Sequence, residues 1–238
     1  MRSFDRRMPE ELNRVLADHA SALLLCSSQT AAQNLRNEAV TGLIEIVGDV
    51  MIDVALKVQP RARERTDVLE RWGLRRGEYV LATAHRAGNV DDLGRLQMLV
   101  DLLASLPYEV VWPLHPRTWR RPECGGLLER LRSLHKMTLT PPLGYAEMSA
   151  LVCNAHAVMT DSGGLQKEAY LAGIPCVTLR STTEWGETVQ HGWNTVVDLD
   201  LERALEALRR DPPRSRPPLY GDGRAGERVV RALTLRLQ

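Results

Sequence analysis

Short, uninterrupted apolar runs recur along this chain, separated by stretches of helical composition. The runs are Ala22–Cys26 (ALLLC), Leu43–Val47 (LIEIV), Tyr79–Ala84 (YVLATA), Glu109–Leu114 (EVVWPL), Met137–Leu139, His156–Thr160 (HAVMT), Pro175–Leu179 (PCVTL) and Thr195–Val197. They are too short and too continuously apolar to show polar alternation, which marks strands buried on both faces. Helices lie between them, so the connections are crossovers and the strands run parallel. The pattern therefore predicts an α/β fold with a parallel sheet covered on both sides. Pro9 followed by Glu10 and Glu11 opens a helix reaching about His19, because proline is tolerated in a first turn and acidic residues favour the positive end of the helix dipole. Further helices are expected over Gln29–Ala39, Asp91–Ser105, Leu127–Ser133, Tyr145–Asn154, Gly164–Ala172 and Glu202–Arg210. The regular strand–helix alternation is read as starting at Asp53, after a GDVMID turn.

The segment from Asp211 to Pro218 (DPPRSRPP) interrupts this pattern, since proline supports neither a helix interior nor a central strand. A last amphipathic helix, about Ala225–Leu237, follows. The chain thus reads as a front fragment (1–48), a complete α/β domain (49–218) and a tail helix (219–238). With Lys+Arg 31 against Asp+Glu 30, the net charge of +1 leaves no broad basic field for nucleic acid or a membrane surface. The local clusters Arg2, Arg6, Arg7 and Arg117, Arg120, Arg121 are read as solvated faces. The four cysteines have no metal-ligand spacing, so no metal is expected. Three of them (Cys26, Cys153, Cys176) sit in apolar runs, as reduced thiols of a cytoplasmic protein do. No apolar run reaches membrane-spanning length, and the polar start MRSFDRRMPEE is unlike a signal peptide.

The sequence Thr160-Asp161-Ser162-Gly163-Gly164 joins a buried strand to a helix, at the sheet edge where open α/β sheets bind ligands. Its glycines let a backbone approach an anion, the helix start offers N–H groups and a positive dipole end, and Ser162 adds a hydroxyl. Glu168, one turn on, suits sugar hydroxyls such as a ribose diol. A plain strand–helix turn would also use glycine, so the motif alone leaves both readings open. His85-Arg86 and His115-Pro116-Arg117 follow strands at the same predicted edge and suit a diphosphate. His19, His135, His156 and His191 lack that placement and are read as structural. A third loop at this edge carries Arg180 and Thr182-Thr183-Glu184-Trp185-Gly186-Glu187, in which Thr183 and Glu187 also resemble a helix-capping pattern.

Taken in order, RSFDRRMPEELNR, GDVMID, AHRAGNVDD, DSGGLQKEA, LRSTTEWGETV and YGDGRA resemble the non-hydrolysing UDP-N-acetylglucosamine 2-epimerase family over essentially the whole chain. The resemblance implies a glycosyltransferase-B architecture of two Rossmann-like domains facing across a cleft. It implies interconversion of UDP-N-acetylglucosamine and UDP-N-acetylmannosamine, without a redox cofactor, in polysaccharide biosynthesis. By the same resemblance, His85, Ser162, Gly163, Gly164 and Glu168 hold UDP. Arg86 and His115 match positions facing the cleft or a second, activating nucleotide site, and Glu10 matches an acidic residue implicated in catalysis. A homodimer is implied too.

Met1 aligns where the family is already in mid-chain. The first Rossmann-like sheet, a GTRPE-type loop and two further acidic residues are therefore expected outside this sequence, and 1–48 is expected to be a remnant of that domain. Within the match, Asp49 stands where asparagine is usual, Gly88 and Lys167 where glutamate is common, and Gly186 where proline or an apolar residue is usual. Two other readings stay open at this point. One is a UDP-sugar glycosyltransferase of the same architecture, against which the PEE and TTEW segments argue. The other is a non-catalytic nucleotide-binding fragment.

Overall fold

A computed structural model describes residues 1–4, 6, 8–115 and 125–235. Pro116 and Arg117 of the expected diphosphate loop, Arg120 and Arg121 of the cluster read as solvated, Arg7, Cys124 and the last residues of the tail helix lie outside them. The chain forms two compact units, one made of residues 1–57 with 217–238 and the other of residues 58–216.

In the first unit, α1 (Pro9–Ala20) begins at the proline, as its first-turn placement requires, and β1 (Leu23–Cys26), α2 (Gln29–Asn37) and β2 (Leu43–Ile46) follow. Ser28 caps α2 by accepting from the Ala31 amide at 3.1 Å. β1 and β2 pair in parallel, Leu23 opposite Leu43 through Cys26 opposite Ile46. α2 covers them with Ala31, Ala32 and Leu35 against Leu24 and Cys26. Arg2 departs from the solvated reading. It is 4% exposed and forks onto Glu38 (2.7 Å to each carboxylate oxygen) and Asp18 (2.7 Å). A guanidinium that meets two carboxylates can be buried, because every charge is paired.

The GDVMID segment is the start of a helix, α3 (Val50–Arg63), rather than a turn leading to a strand. Asp49 accepts from the Met51 amide at 2.9 Å and starts it, and Ile52, Ala55, Gln59 and Ala62 form its buried stripe at helical spacing. Pro60 lies inside this helix. α12 (Ala225–Thr234) has no capping side chain of its own; Asp53, from α3, accepts from the Ala225 and Gly226 amides at 2.9 and 2.7 Å.

The second unit takes in the last turns of α3, then α4 (Thr66–Arg71), and carries a six-stranded sheet. The strands are β3 (Tyr79–Thr83), β4 (Glu109–Pro113), β5 (Met137–Thr140), β6 (Ala157–Thr160), β7 (Cys176–Thr178) and β8 (Asn194–Val196). Every pairing is parallel, in the spatial order β5-β4-β3-β6-β7-β8. Numbered within the sheet, that order is 3-2-1-4-5-6, the doubly wound arrangement of Rossmann-like domains. The crossover helices are α5 (Ala87–Val90) with α6 (Leu93–Ser105), α7 (Gly125–Arg132), α8 (Tyr145–Asn154), α9 (Gly163–Ala172) and α10 (Gly186–Gln190), and α11 (Leu201–Arg209) follows β8. They supply a buried layer on each face of the sheet. One is built on Leu99, Leu103, Trp112 and Met159, the other on Leu81, Val111, Leu151 and Val158. The helix expected over Asp91–Ser105 is α6, which Asp92 caps through the Arg95 amide (2.7 Å); the short α5 precedes it. α9 ends on Gly173, whose φ of +71° closes the helix in the left-handed conformation that glycine adopts without strain.

Candidate functional site

In a sheet of this order, the two strands at which the winding reverses are β3 and β6, and the loops leaving their carboxyl ends diverge to opposite faces. The crevice they leave is where such sheets hold ligands. β3 leads into Ala84, His85 and Arg86; β6 leads into Asp161, Ser162 and Gly163. Both loops with the strongest expected chemistry therefore lie at this one point.

Asp161 joins the two loops. Its carboxylate is wholly buried and accepts from the His85 amide (3.1 Å to each oxygen), the Arg86 amide (2.9 Å) and Asn89 Nδ2 (3.1 Å). His85 Nδ1 is 3.6 Å from the same carboxylate, with 38% of its side chain exposed. Nε2 is thus the ring nitrogen turned from the carboxylate. The exposed His115, leaving β4, lies beside it, the ring centroids 5.5 Å apart and inclined at 30°.

Gly163 begins α9, and the Ser162 amide donates to Thr160 Oγ1 at 2.9 Å. Ser162 makes no cap bond with its hydroxyl, so the first-turn amides of α9 face the crevice with their dipole unopposed by a local cap. A Cβ on Gly163 would come within 3.1 Å of Trp185 Nε1 and 3.8 Å of Glu184 Oε2, so glycine is what allows the TTEW loop to close over this helix start. In that loop Glu184, its side chain 3% exposed, takes Arg180 Nη1 at 2.8 Å and lies 3.9 Å from Arg86 Nη2. One buried carboxylate thus holds two guanidiniums from two loops beside a helix N-terminus. That assembly presents positive potential to an anion with several oxygens. Lys167 Nζ stacks over the Trp185 ring at 4.2 Å and backs the loop from α9.

Glu168 lies on α9 one turn beyond the glycines, and burial pushes its carboxyl up to about 7, against a smaller opposing effect of Lys167. Tyr145, in the first turn of α8, is near enough to Glu168 for that carboxylate, after burial, to raise its hydroxyl. Thr183 departs from the capping expectation. α10 starts at Gly186, with Trp185 as its cap residue; the Thr183 hydroxyl accepts from the Trp185 amide (3.1 Å) and donates to Gln166 (2.6 Å), tying the loop to α9 instead.

The structure therefore brings His85, Arg86, His115, Ser162, Gly163, Gly164, Glu168 and Arg180 to the carboxyl edge of one sheet. Glu10 belongs to the first unit, exposed in the first turn of α1. Its neighbour Glu11 is buried and accepts from the Ser3 amide and hydroxyl (3.0 Å each) and the Phe4 amide (3.1 Å). Three residues were given no role by the sequence: Asp161 and Glu184, which sit within its candidate loops, and Asn89. Asp161 was legible as a carboxylate placed directly at a strand end. The other two act through buried contacts between loops far apart in sequence, and no local pattern announces those. Among the described residues no group of three or more metal-ligating side chains is gathered, and no helix is long and apolar enough to cross a membrane.

A family profile described as UDP-N-acetylglucosamine 2-epimerase matches residues 1–234. A UDP-N-acetylglucosamine 2-epimerase homolog of Methanococcus maripaludis is 40% identical over 236 residues, which cover 98% of this chain and 66% of the homolog. A UDP-2,3-diacetamido-2,3-dideoxy-D-glucuronate 2-epimerase of Pseudomonas aeruginosa is 40% identical over 242 residues, 98% of this chain and 65% of that enzyme. Among solved structures, the Methanocaldococcus jannaschii UDP-GlcNAc 2-epimerase in complex with UDP-GlcNAc and UDP superimposes with a TM-score of 0.88 at 37% identity. It covers 98% of this chain and 67% of that one. The chain thus spans about two thirds of the length of the relatives it matches.

Proposed function

This chain belongs to the UDP-N-acetylglucosamine 2-epimerase family, and from that premise we propose that it binds UDP-N-acetylglucosamine and takes part in its inversion at C2 to UDP-N-acetylmannosamine. The observation that carries the proposal is the convergence, at the β3/β6 switch point, of His85, Arg86, the α9 N-terminus and the Arg180–Glu184 pair. This is a cradle for a diphosphate. Glu168 would accept from the ribose hydroxyls, and His115 would flank the mouth. The reaction needs no net redox change: a base removes the C2 proton, the C1–O bond to UDP breaks, and the glycal so formed takes a proton on the opposite face of C2 before UDP returns to C1. His85 Nε2, Arg86 and the α9 amides would stabilise the departing diphosphate, whose charge grows as the bond breaks. Glu10, the exposed member of the PEE pair, is the carboxylate we assign to proton transfer at C2.

We assign residues 1–48 to the end of a first Rossmann-like domain, 49–218 to the nucleotide-binding domain and 219–238 to a returning tail helix. The working form is proposed to be a cytoplasmic homodimer, with UDP-N-acetylglucosamine also acting as an activating ligand. A second substrate reading has one specific support, the equal identity to the diacetamido-glucuronate enzyme: the sugar could carry a second acetamido group and a C6 carboxylate. The glycosyltransferase alternative is not favoured, because the family profile and the relatives named above are epimerases.

Calorimetry with UDP, together with loss of the C2 proton signal of each sugar nucleotide in deuterated water, tests the proposal. UDP should bind, and Ser162→Ala combined with Glu168→Ala should weaken it by more than about tenfold, since hydrogen bonds to charged groups contribute about 1.5–3 kcal/mol each. Binding left unchanged by the double substitution would overturn the site. Exchange with only the diacetamido sugar would select the second substrate.

A further inference from the structure

The hydrogen bonds that hold the His85–Arg86 loop do not end at Asp161. Asn89, 3% exposed, gives Nδ2 to Asp161 (3.1 Å) and to the Leu179 carbonyl (2.8 Å), and its Oδ1 accepts from Arg95 Nη2 at 2.9 Å. The Arg95 guanidinium then forks onto Asp198, 2.5 and 3.1 Å to the two carboxylate oxygens. Asp198 also donates its amide to the Arg180 carbonyl at 3.1 Å. Its φ of +55° is a conformation that costs an L-residue energy and that aspartate tolerates better than most. The linked residues leave β3 (His85, Arg86, Asn89), β6 (Asp161), β7 (Leu179, Arg180) and β8 (Asp198), four strands adjacent in the sheet. A single hydrogen-bonded brace therefore crosses the carboxyl edge and ends outside the crevice, on a partly exposed ion pair.

We propose that Arg95 and Asp198 are positioning residues for the ligand cradle, acting through Asn89 and Asp161 to fix the loops that present His85, Arg86 and Arg180. The physical reason lies in what Asn89 must satisfy. An amide in the interior needs its oxygen and its N–H groups all met, or its orientation is lost. Arg95 supplies the donor for the oxygen, and that sets which way Nδ2 points, toward Asp161 and Leu179. Asp161 in turn absorbs the His85 and Arg86 amides. With those amides committed to Asp161, the loop meets a ligand through its imidazole and guanidinium. Asp198 holds Arg95 by two bonds at once, a geometry that a lysine ammonium cannot copy. Its own amide carries the same restraint to Arg180. That the brace serves catalysis rests on the function proposed above; that it holds the loop does not.

The test uses the full chain without ligand, and then with UDP. In Asp198→Gly, which accepts the left-handed backbone and removes the side chain with its carboxylate, and in Arg95→Met, amide exchange of His85 and Arg86 should quicken about tenfold relative to the Val111 amide in β4 of the same sample. The ratio cancels any general loss of stability. The two amide proton resonances should move upfield as their bonds to Asp161 lengthen, and UDP affinity should fall about fivefold or more. Asp198→Asn, which retains one acceptor oxygen and tolerates the backbone, should restore most of the protection. Unchanged ratios and resonances in both Asp198→Gly and Arg95→Met would overturn the brace whatever happens to UDP. Perturbed amides with undiminished UDP affinity would overturn its role toward the ligand. A wild-type chain that binds no UDP would count against the proposed function and leave the amide result to stand or fall alone.

Discussion

At the residue scale, Glu168 and Gly163 carry the sharpest expectations. Burial holds the Glu168 carboxyl near 7, above its ordinary value of 4.5, so folding favours its neutral form. The sign follows: stability associated with this group is complete below about pH 4.5 and is lost as pH rises through 7. Glu168→Gln should therefore raise the melting temperature at pH 8, by a few degrees, and leave it unchanged at pH 4 in a thermal scan. The same group should titrate in UDP binding, because an ionised carboxylate is the better acceptor for ribose hydroxyls. The wild type should gain affinity from pH 6 to 8 relative to Glu168→Gln, and equal pH profiles in calorimetry would count against a ribose contact. Gly163→Ala places a methyl 3.1 Å from Trp185 Nε1, at the helix start. We expect UDP affinity to fall at least tenfold, with a much smaller change in stability, since only the loop above must shift. Of these residues the sequence displays the ligand-facing ones plainly: glycines, histidines and a glutamate at strand ends. It hides the residues that hold them. Glu184 and Asn89 look like ordinary loop residues, and only the fold reveals that one bridges two arginines and the other three strand ends.

At the scale of elements, the central strands β3 and β6 and most of β4 were legible because their runs are largely apolar, as a sheet covered on both faces demands. α3 was not, because GDVMID, with its Gly48-Asp49 pair, suggests a turn. The outvoting signal is the stripe Ile52, Ala55, Gln59 and Ala62, which a helical spacing accounts for and a strand spacing does not. The tail helix depends on this element. Asp53 on α3 meets the Ala225 and Gly226 amides, so it performs for α12 the service an N-cap residue usually performs for its own helix. Asp53→Ala should lower stability by about 1–2 kcal/mol in denaturant unfolding, within the range of lost caps. It should also open the first turn of α12 to hydrogen exchange while α9 keeps its protection. Uniform loss of protection in both helices would show that Asp53 acts on the fold generally.

On the scale of the whole molecule, residues 58–216 contain the complete six-stranded sheet, both of its buried layers and every residue of the brace. Expressed alone, this segment should unfold in one cooperative transition and bind UDP within about threefold of the full chain; a fragment without a cooperative transition would refute its autonomy. The first unit is different. Its two-stranded sheet is short, and Leu43 and Ile46 on β2, with Leu12 and Leu16 on α1, are exposed. Such surface promotes association. Leu43→Gln with Ile46→Gln should lower the apparent mass in light scattering at high concentration, and no change would clear this surface. The strand order has one more consequence, and it concerns time. The pair at the centre of the sheet, β3 with β6, joins Thr83 to Thr160, 77 positions apart, whereas β3 with β4 and β6 with β7 join nearer neighbours in sequence. Loop closure slows contacts of long range. The two halves of the sheet should thus assemble separately and meet late. The ligand crevice lies on that seam, so it should be among the last features of this unit to come into existence as the chain folds.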